Sequence, residues 1–523
     1  MAHGAVPIKR IDLNAGAGIA AAGFVVVMIL APLVAVALRA ESGARFGAGD
    51  LAALRFTVVQ AGLSALFSIA LAVPVARALA RRRFWGRGAL ITLLGAPFIL
   101  PVIVAILGLL AIFGRGGLLN AGLAALGLPA VQIYGLHGVV LAHVFFNLPL
   151  ATRIILQGWQ AIPAEHFRLA ASLGFRPRDV FWRIEAPMLR AYLPGAALIV
   201  FAICLSSFAV ALTLGGGPRA TTLELAIYQA FTLDFDLARA AGLGLVQLCL
   251  VGIAALGAAT VARADGFGRG MDGRVERFDA GGWMQRIADA LTVALATLFV
   301  AGPVAMILWR GAWGSAQMSA DVWASVLAAS GHSLVIALLA TALTLTLALG
   351  LSMARWRWAE GLGLLGVAVS PLVIGTGLFI MINPFFAPAG LALPVTVAVN
   401  ALMALPFAVR VIAPAVRRAE TDFGVLADQL GLTGVARLRL LILPRSRSAL
   451  GFAAGLSAAL AMGDLGVVVL FADPEWATLP LQIYRLMGAY QMQAASGAGV
   501  VLLALSLGLF WIFDQRGRRD VDA

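Results

Sequence analysis

The chain has 523 residues, of which 61% are hydrophobic and only 12% are charged, and its mean hydropathy is +0.96. Soluble domains carry about a quarter of charged residues, so this composition excludes a water-soluble globule and leaves room for about a dozen membrane spans of roughly 20 residues. The net charge of +13 is therefore interpreted as a marker of membrane topology, with lipid as the surrounding partner and no nucleic acid expected.

Twelve apolar runs follow one another along the chain, six in each half. The first, at about residues 15–38, follows Lys9 and Arg10, and its length favours an uncleaved span over a signal peptide. The other runs lie at about 57–80, 89–113, 131–150, 195–215, 241–262, 287–309, 331–354, 361–383, 393–413, 449–471 and 493–513. The sequence thus predicts an all-α integral membrane protein with about 12 transmembrane helices.

The basic residues indicate how these helices are oriented. Twelve spans place both termini on one side of the membrane, and all but eight of the 38 basic residues fall in segments on that side. Because basic residues mark the cytoplasmic face, we expect a multi-pass protein with both termini in the cytoplasm.

A polar, arginine-bearing segment occurs once in each half, at residues 162–190 and 417–447, in the same register. The repeated positions pair as Ala170 with Ala427, Gly174 with Gly431, Ile184 with Leu441, and Pro187 with Pro444. A constant register over about 40 residues indicates an internal duplication. In each copy we expect two short helices separated at the glycine, which can take the left-handed conformation that ends a helix.

This repeated pattern resembles the cytoplasmic loop shared by the membrane subunits of bacterial binding-protein-dependent ABC importers. The resemblance implies a type I importer permease fold, and a short coupling helix in each loop that docks on an ATPase subunit. We therefore name residues 162–190 coupling loop 1 and residues 417–447 coupling loop 2. The family's loops open with Glu-Ala-Ala, which is absent here, so the acidic contact is assigned to Glu165 and Asp422 one turn earlier. An ordinary loop between membrane helices would not be duplicated in register.

A charged, glycine-rich segment at residues 263–286 has no apolar face and is predicted to link two halves, 1–262 and 287–523. The duplication extends beyond the coupling loops, because TTLELAIY at Thr221–Tyr228 matches ATLPLQIY at Ala477–Tyr484. Both halves run in the same direction, so we expect a pseudo-two-fold axis along the membrane normal and a transport pathway between the halves.

Motifs for catalysis are missing from the sequence. A P-loop requires a lysine in GxxxxGK[ST], and Lys9 is the only lysine, so any ATP hydrolysis belongs to a separate subunit. The five histidines show no metal-binding spacing. We expect no metal site and no cofactor bound by this chain, with ATP and Mg²⁺ held by the partner ATPase.

Candidate pathway residues lie in or near the apolar runs. Asp464 is a costly carboxylate within one run, and Ser207 is its equivalent in the first half. Each is a candidate substrate contact, with a helix-packing hydrogen bond or a helix end as the alternative. Tyr228 and Tyr484 are candidates for a gate or substrate platform, although interfacial aromatic belts enrich tyrosine in any membrane protein. Asn383 precedes a proline, and we expect it to break a helix either near the pathway or for packing alone.

The last third of the chain, in residues 370–386, 404–417 and 463–499, is similar to the fused permeases of bacterial thiamine and thiamine pyrophosphate importers. The resemblance implies an inner-membrane permease for thiamine and its phosphate esters, served by two ATPase copies and a periplasmic binding protein. Ferric-iron importer permeases share this architecture and are the alternative. An ion-coupled secondary transporter is the alternative of a different class, but it calls for paired ionisable residues across midplane helices, and the sequence offers little beyond Asp464.

Overall fold

The computed structural model describes residues 13–41, 43, 46–95, 99–215, 217, 220–261, 277, 282–354, 357–367, 369–471 and 476–518. Ten described helices are long and apolar enough to cross a membrane, and two shorter apolar helices, Pro371–Ile382 and Arg447–Met462, coincide with the remaining predicted runs. Helices are expected here because a membrane-spanning segment must satisfy its backbone polar groups internally. The prediction of an all-α membrane protein is confirmed.

The described part of the first half contains twelve helices, both long apolar ones and short connecting ones. They are α1 (Leu13–Glu41), α2 (Ala48–Arg81), α3 (Arg87–Leu93), α4 (Val102–Phe113), α5 (Leu118–Ala125), α6 (Leu136–Gln160), α7 (Ala164–Ser172), α8 (Pro177–Val180), α9 (Ala186–Leu205), α10 (Phe208–Leu214), α11 (Leu223–Thr232) and α12 (Leu237–Val261). A π-helical turn, Phe181–Glu185, joins α8 to α9.

The second half repeats this order, except that it has one long helix, Ala392–Gln429, where the first half has α6 and α7. It consists of α13 (Trp283–Ala316), α14 (Ala320–Met353), α15 (Arg357–Gly363), α16 (Pro371–Ile382), α17 (Ala392–Gln429), α18 (Gly434–Arg437), α19 (Leu443–Arg445), α20 (Arg447–Met462), α21 (Val468–Phe471), α22 (Leu479–Gly488) and α23 (Met492–Arg518). The matching π-helical turn is Leu438–Ile442. Short 3₁₀ turns lie at Leu365–Val367 and Pro388–Leu391.

Four of the predicted continuous spans are interrupted in the structure. Residues 94–101 separate α3 from α4, and 206–207 separate α9 from α10. In the second half, α15 and α16 are distinct helices, as are α20 and α21. Proline at or next to the start of the later helix explains two of the interruptions, because proline donates no backbone hydrogen bond. Broken helices at membrane depth are tolerated where protein covers them or where they line a cavity.

The two halves are intertwined through their first helices. Helix α1 packs against α14 and α16 of the second half, and α13 packs against α2 and α4 of the first half. Glycines allow two close approaches: a Cβ placed on Gly377 of α16 would lie 2.4 Å from the carbonyl oxygen of Pro32 in α1. A Cβ on Gly108 of α4 would lie 2.4 Å from the carbonyl oxygen of Pro303 in α13. The same kind of contact is thus made twice: the first helix of each half packs against a glycine of the other half.

One buried apolar cluster extends across both halves. It includes Val25 of α1, Leu223 of α11 and Val373 of α16, each fully buried. The interface between the halves is therefore part of the hydrophobic core. This core holds the interrupted helices of the two halves against one another.

Candidate functional site

The two coupling loops share a backbone conformation. Gly174 and Gly431 both adopt the left-handed conformation, with φ of +66° and +67°. In each loop the backbone N–H that follows the glycine returns to the repeated alanine: Phe175 donates to Ala170 and Leu432 to Ala427, both at 2.9 Å. The π-helical turns also recur at equivalent positions. The duplication predicted from sequence is thus present in the fold as well.

The prediction of two short helices holds for coupling loop 1 and is wrong for coupling loop 2. In loop 1 the chain ends α6 at Gln160 and begins α7 after Pro163. In loop 2 the 38-residue helix α17 continues without a break to Gln429. The physical reason is the residue at the junction: Pro163 lacks an N–H, whereas Glu420 stands at the equivalent position and sustains the helix.

The repeated residues divide into buried and exposed positions. The alanines Ala170 and Ala427 are buried, as is Leu441, while Ile184 is partly buried. The exposed positions are Glu165, Asp422, Pro187 and Pro444. The buried residues hold the loops on the membrane helices, and the exposed ones are available to another chain.

Exposed leucines lie at equivalent places in the two loops, and the sequence reasoning did not select them as site residues. Leu169 and Leu173 of loop 1 are 58% and 62% exposed, and Leu426 and Leu430 of loop 2 are 52% and 66% exposed. Exposed apolar side chains that form a contiguous patch within a polar surface are typical of protein contacts. The constant register of the repeat contained the signal, because each leucine precedes or follows the buried alanine by the same number of residues.

Asp464 lies in the break between α20 and α21, at the contact of the two halves. Its Oδ1 accepts a hydrogen bond from the backbone N–H of Gly466 at 3.0 Å. Its Oδ2 is buried and has no hydrogen-bond partner in the part of the chain that the structure describes. A Cβ on Gly463 would lie 3.1 Å from Pro101 at the start of α4, and one on Gly466 would lie 3.6 Å from Leu372 in α16. Asp464 is therefore placed between helix starts from both halves.

Ser207 occupies the corresponding break of the first half, where it precedes α10 and is partly buried. The last backbone carbonyls of α9 have no N–H partner within the helix, and two glutamine side chains supply one. Gln60 Nε2 donates to Cys204 O at 2.9 Å and Gln247 Nε2 donates to Leu205 O at 2.8 Å. Membrane-buried carbonyls need such partners. The break is thus stabilised from two neighbouring helices, α2 and α12.

Glu224 is a second interior carboxylate, which the sequence reasoning did not select. Its side chain is fully buried in α11, and its Oε1 accepts a hydrogen bond from Gln247 at 3.2 Å. Among the described residues, its Oε2 has no partner. Helix α11 also contacts α16 and α21 of the second half. The glutamate was visible within TTLELAIY, where the second copy carries Pro480 instead.

The two candidate tyrosines lie at equivalent, half-buried places in the two halves, and the candidate asparagine is exposed. Tyr228 packs edge to face on Phe208 with ring centroids 5.4 Å apart, and Tyr484 lies against the buried cluster that includes Leu479 and Ile483. Both tyrosines are half-buried. Asn383 is exposed at the far end of α16 from Asp464. Of the interior polar side chains, Asp464 and Glu224 therefore lie where elements of the two halves meet.

No group of three or more histidine, cysteine, aspartate or glutamate side chains with metal-binding geometry occurs among the described residues.

Comparison with known proteins gives one family and two kinds of relative. The family described as binding-protein-dependent transport system inner membrane component matches residues 67–272. The thiamine transport system permease protein ThiP of Brucella abortus is 38% identical over 98% of both chains. The protein of the same name from Salmonella typhimurium is 36% identical over 95% of this chain and 96% of its own. The molybdenum transport system permease protein ModB of Mycobacterium bovis is 33% identical over 45% of this chain and 90% of its own length, which makes it comparable to one half.

Proposed function

Because this chain belongs to the family of inner membrane components of binding-protein-dependent transport systems, we propose that it is the permease that moves thiamine and its phosphate esters across the inner membrane. One observation carries the substrate assignment: chains named as thiamine transport permeases match it over nearly the full length, through both halves and the linker. The match to the molybdenum permease spans less than half of this chain.

Two ATPase copies would dock on the two coupling loops, one copy on each. The support is the repeated backbone shape, together with exposed leucines and an exposed acidic residue in both loops. ATP and Mg²⁺ would bind to those subunits, and this chain would bind no cofactor and perform no hydrolysis. A periplasmic binding protein would deliver the substrate to the opposite face. The basic residues support an orientation with the coupling loops, the linker and both termini in the cytoplasm.

The substrate would pass between the halves, beside the breaks at Ser207 and Asp464. Asp464 Oδ2 supports this assignment, because a buried acceptor without a partner is costly unless a ligand or water pairs with it. Thiamine carries a positive charge that a carboxylate attracts. Tyr228 and Tyr484 would form the next contact along the pathway, whereas the exposed Asn383 would lie at its rim.

Transport would proceed by alternating access. Closure of the two ATPases on ATP would push on both coupling loops, and the loops would move the membrane helices as rigid bodies. The left-handed glycines matter here because they fix the angle between the two helical segments of each loop. Hydrolysis would then return the halves to their starting arrangement.

The test is uptake of labelled thiamine at limiting concentration in cells with and without this gene, with ferric iron uptake measured beside it. We expect loss of thiamine uptake alone. We also expect uptake to require ATP and to survive collapse of the proton gradient while ATP is maintained. Loss of iron uptake alone would identify ferric iron as the substrate instead of thiamine. Thiamine uptake that depends on the proton gradient would indicate an ion-coupled transporter instead of an ATP-driven one.

A further inference from the structure

Glu185 is a fully buried carboxylate at the end of coupling loop 1, outside the residues assigned above. Its Oε2 accepts hydrogen bonds from Arg77 of α2, through Nε at 2.8 Å and Nη2 at 2.7 Å. Its Oε1 accepts from Trp159 Nε1 of α6 at 3.1 Å and from Arg277 Nη2 at 2.6 Å. Four donor atoms on three side chains thus converge on one carboxylate, an arrangement that charge-assisted hydrogen bonds make strong and directional.

Arg277 belongs to the segment that joins the two halves, yet it contacts both ends of coupling loop 1. Its side chain is 3% exposed, and its guanidinium lies 4.6 Å from the ring centroid of Phe167 in α7. Phe167 is itself buried. One arginine of the linker therefore holds the coupling helix α7 on one side and Glu185 on the other.

Coupling loop 2 has the same backbone conformation at its glycine and its π-helical turn but is held in a different way. Arg437 donates from Nε to Glu420 Oε1 at 2.9 Å and from Nη1 to Asp428 Oδ1 at 2.5 Å. Arg445 lies over the ring of Phe423 at 4.1 Å. All of these residues are inside coupling loop 2.

The two sets of contacts do not correspond in sequence. In the repeat register, Ile442 stands in place of Glu185 and Val180 in place of Arg437. Each loop therefore lacks the central residue that holds the other, and the shared backbone shape is maintained by unrelated side chains.

We propose that Glu185 and Arg277 are positioning residues for coupling loop 1, which fasten it to α2, α6 and the linker, whereas coupling loop 2 is positioned from within by Arg437. The inference rests on the proposed function insofar as both loops dock on ATPase subunits. It follows that the two ATPase contacts depend on different residues. Loss of the linker arginine loosens one contact and leaves the other in place.

The test uses the complete transporter with its ATPase and binding protein, and one cysteine in each loop. Ser172→Cys and Gln429→Cys are at equivalent, exposed positions of loops 1 and 2. The background carries Cys249→Ala, and Cys204 is buried. Cross-linking from each cysteine to the ATPase is compared in Arg277→Met, Arg277→Lys and Arg437→Met. Arg277→Met is preferred to Glu185→Gln, because it leaves the Glu185–Arg77 pair intact and spares the fold.

We expect Arg277→Met to reduce the cross-link yield from position 172 at least twofold and to leave the yield from 429 unchanged. Arg437→Met is expected to reduce the cross-link yield from position 429 and to leave the yield from 172 unchanged. Arg277→Lys is expected to reduce the yield from 172 less than Arg277→Met does. Substrate transported per ATP hydrolysed falls in both methionine variants. Equal effects of Arg277→Met on both loops, or no effect on either, would overturn the inference. Failure of the proposed function gives a different result. In that case the cysteine at position 172 or 429 would form no cross-link to the ATPase even when Arg277 and Arg437 are both retained.

Discussion

At the residue scale, the two interior carboxylates differ from the other buried acidic side chains by having one oxygen without a partner. Glu185 and Asp289 are paired with arginines. Asp464 and Glu224 instead face neutral donors and no arginine, and one oxygen of each lacks a partner with hydrogen-bond geometry among the described residues. A buried polar atom that stays unpaired costs free energy, and such a cost is retained where function requires it. This contrast favours Asp464 and Glu224 as the residues that meet substrate.

We expect Asp464→Asn to reduce transport about tenfold, corresponding to about 1.4 kcal/mol of lost stabilisation of the moving cation. Asparagine keeps an oxygen that can accept the hydrogen bond from the Gly466 N–H, so we expect the permease to fold normally. Its abundance in the membrane should therefore not change. The measurement is initial uptake rate normalised to permease abundance. Asp321→Asn serves as the control, because Asp321 is an exposed carboxylate at the start of α14. Normal uptake in Asp464→Asn would remove this residue from the pathway.

A second residue-scale prediction concerns the left-handed glycines. A Cβ added at Gly174 or Gly431 would meet no neighbouring atom within 4 Å, so we expect the cost of valine to come from the backbone, about 1–2 kcal/mol at positive φ. We expect hydrolysis to continue while transport per ATP falls, since the loop no longer holds its angle. The comparison is the ratio of thiamine uptake to phosphate release in proteoliposomes.

The control for the glycines is Ala171→Val, which adds the same side chain in α7 at an exposed position with a helical backbone. Normal transport per ATP in both glycine variants would show that the loop angle is not part of coupling.

At the element scale, the first helix of each half is held by the other half. The Gly377–Pro32 and Gly108–Pro303 approaches are so close that no side chain fits between the backbones. Small residues permit this proximity, and close packing supplies most of the attraction between membrane helices because lipid is as apolar as the helices.

We expect Gly108→Val and Gly377→Val each to destabilise the fold by about 1–3 kcal/mol, the usual cost of overpacking. Thermal unfolding of the purified permease in detergent measures this effect, and the two variants should shift the unfolding temperature by similar amounts. Gly508→Val on α23 is the control, because no atom lies within 4 Å of the added carbon. A shift confined to one of the two variants would contradict the equivalence of the contacts.

At the scale of the whole molecule, the halves are repeats in sequence but not independent bodies in space. Arg81 and Arg82 at the end of α2 bind Asp289 at the start of α13, at 2.7 and 2.6 Å. Together with the crossing of α1 and α13 and the buried cluster shared by both halves, these pairs make each half incomplete alone.

We expect residues 1–270 and 271–523, expressed as separate chains, to accumulate in the membrane only when they are produced together. The reason is that α1 loses α14 and α16, and α13 loses α2 and α4, in the isolated halves. Quantitative blotting of membranes and co-purification through a tag on one chain measure this dependence. Equal abundance of each half with and without the other would show that the halves fold independently.

Much of the fold was predictable because it follows from patterns within short stretches of chain. Length and hydropathy sufficed for the all-helical membrane fold, with ten long spans and two shorter apolar helices among the described residues, and the repeat register located both left-handed glycines. The same local patterns failed at the four interrupted spans. The interruptions are only a few residues long, so residues 195–215 and 449–471 each remain apolar on average although α9 and α20 end within them.

The sequence by itself determined the all-α membrane fold, the duplication and the candidate pathway residue Asp464, since hydropathy, register and an isolated charge are properties of the linear chain. Only the tertiary structure decided that Glu224 lies at the contact of the halves, that Asn383 is remote from Asp464, and that Arg277 reaches coupling loop 1. These are contacts between residues far apart in the chain. Packing of whole helices sets them, and no local pattern encodes which partner a buried polar atom will meet.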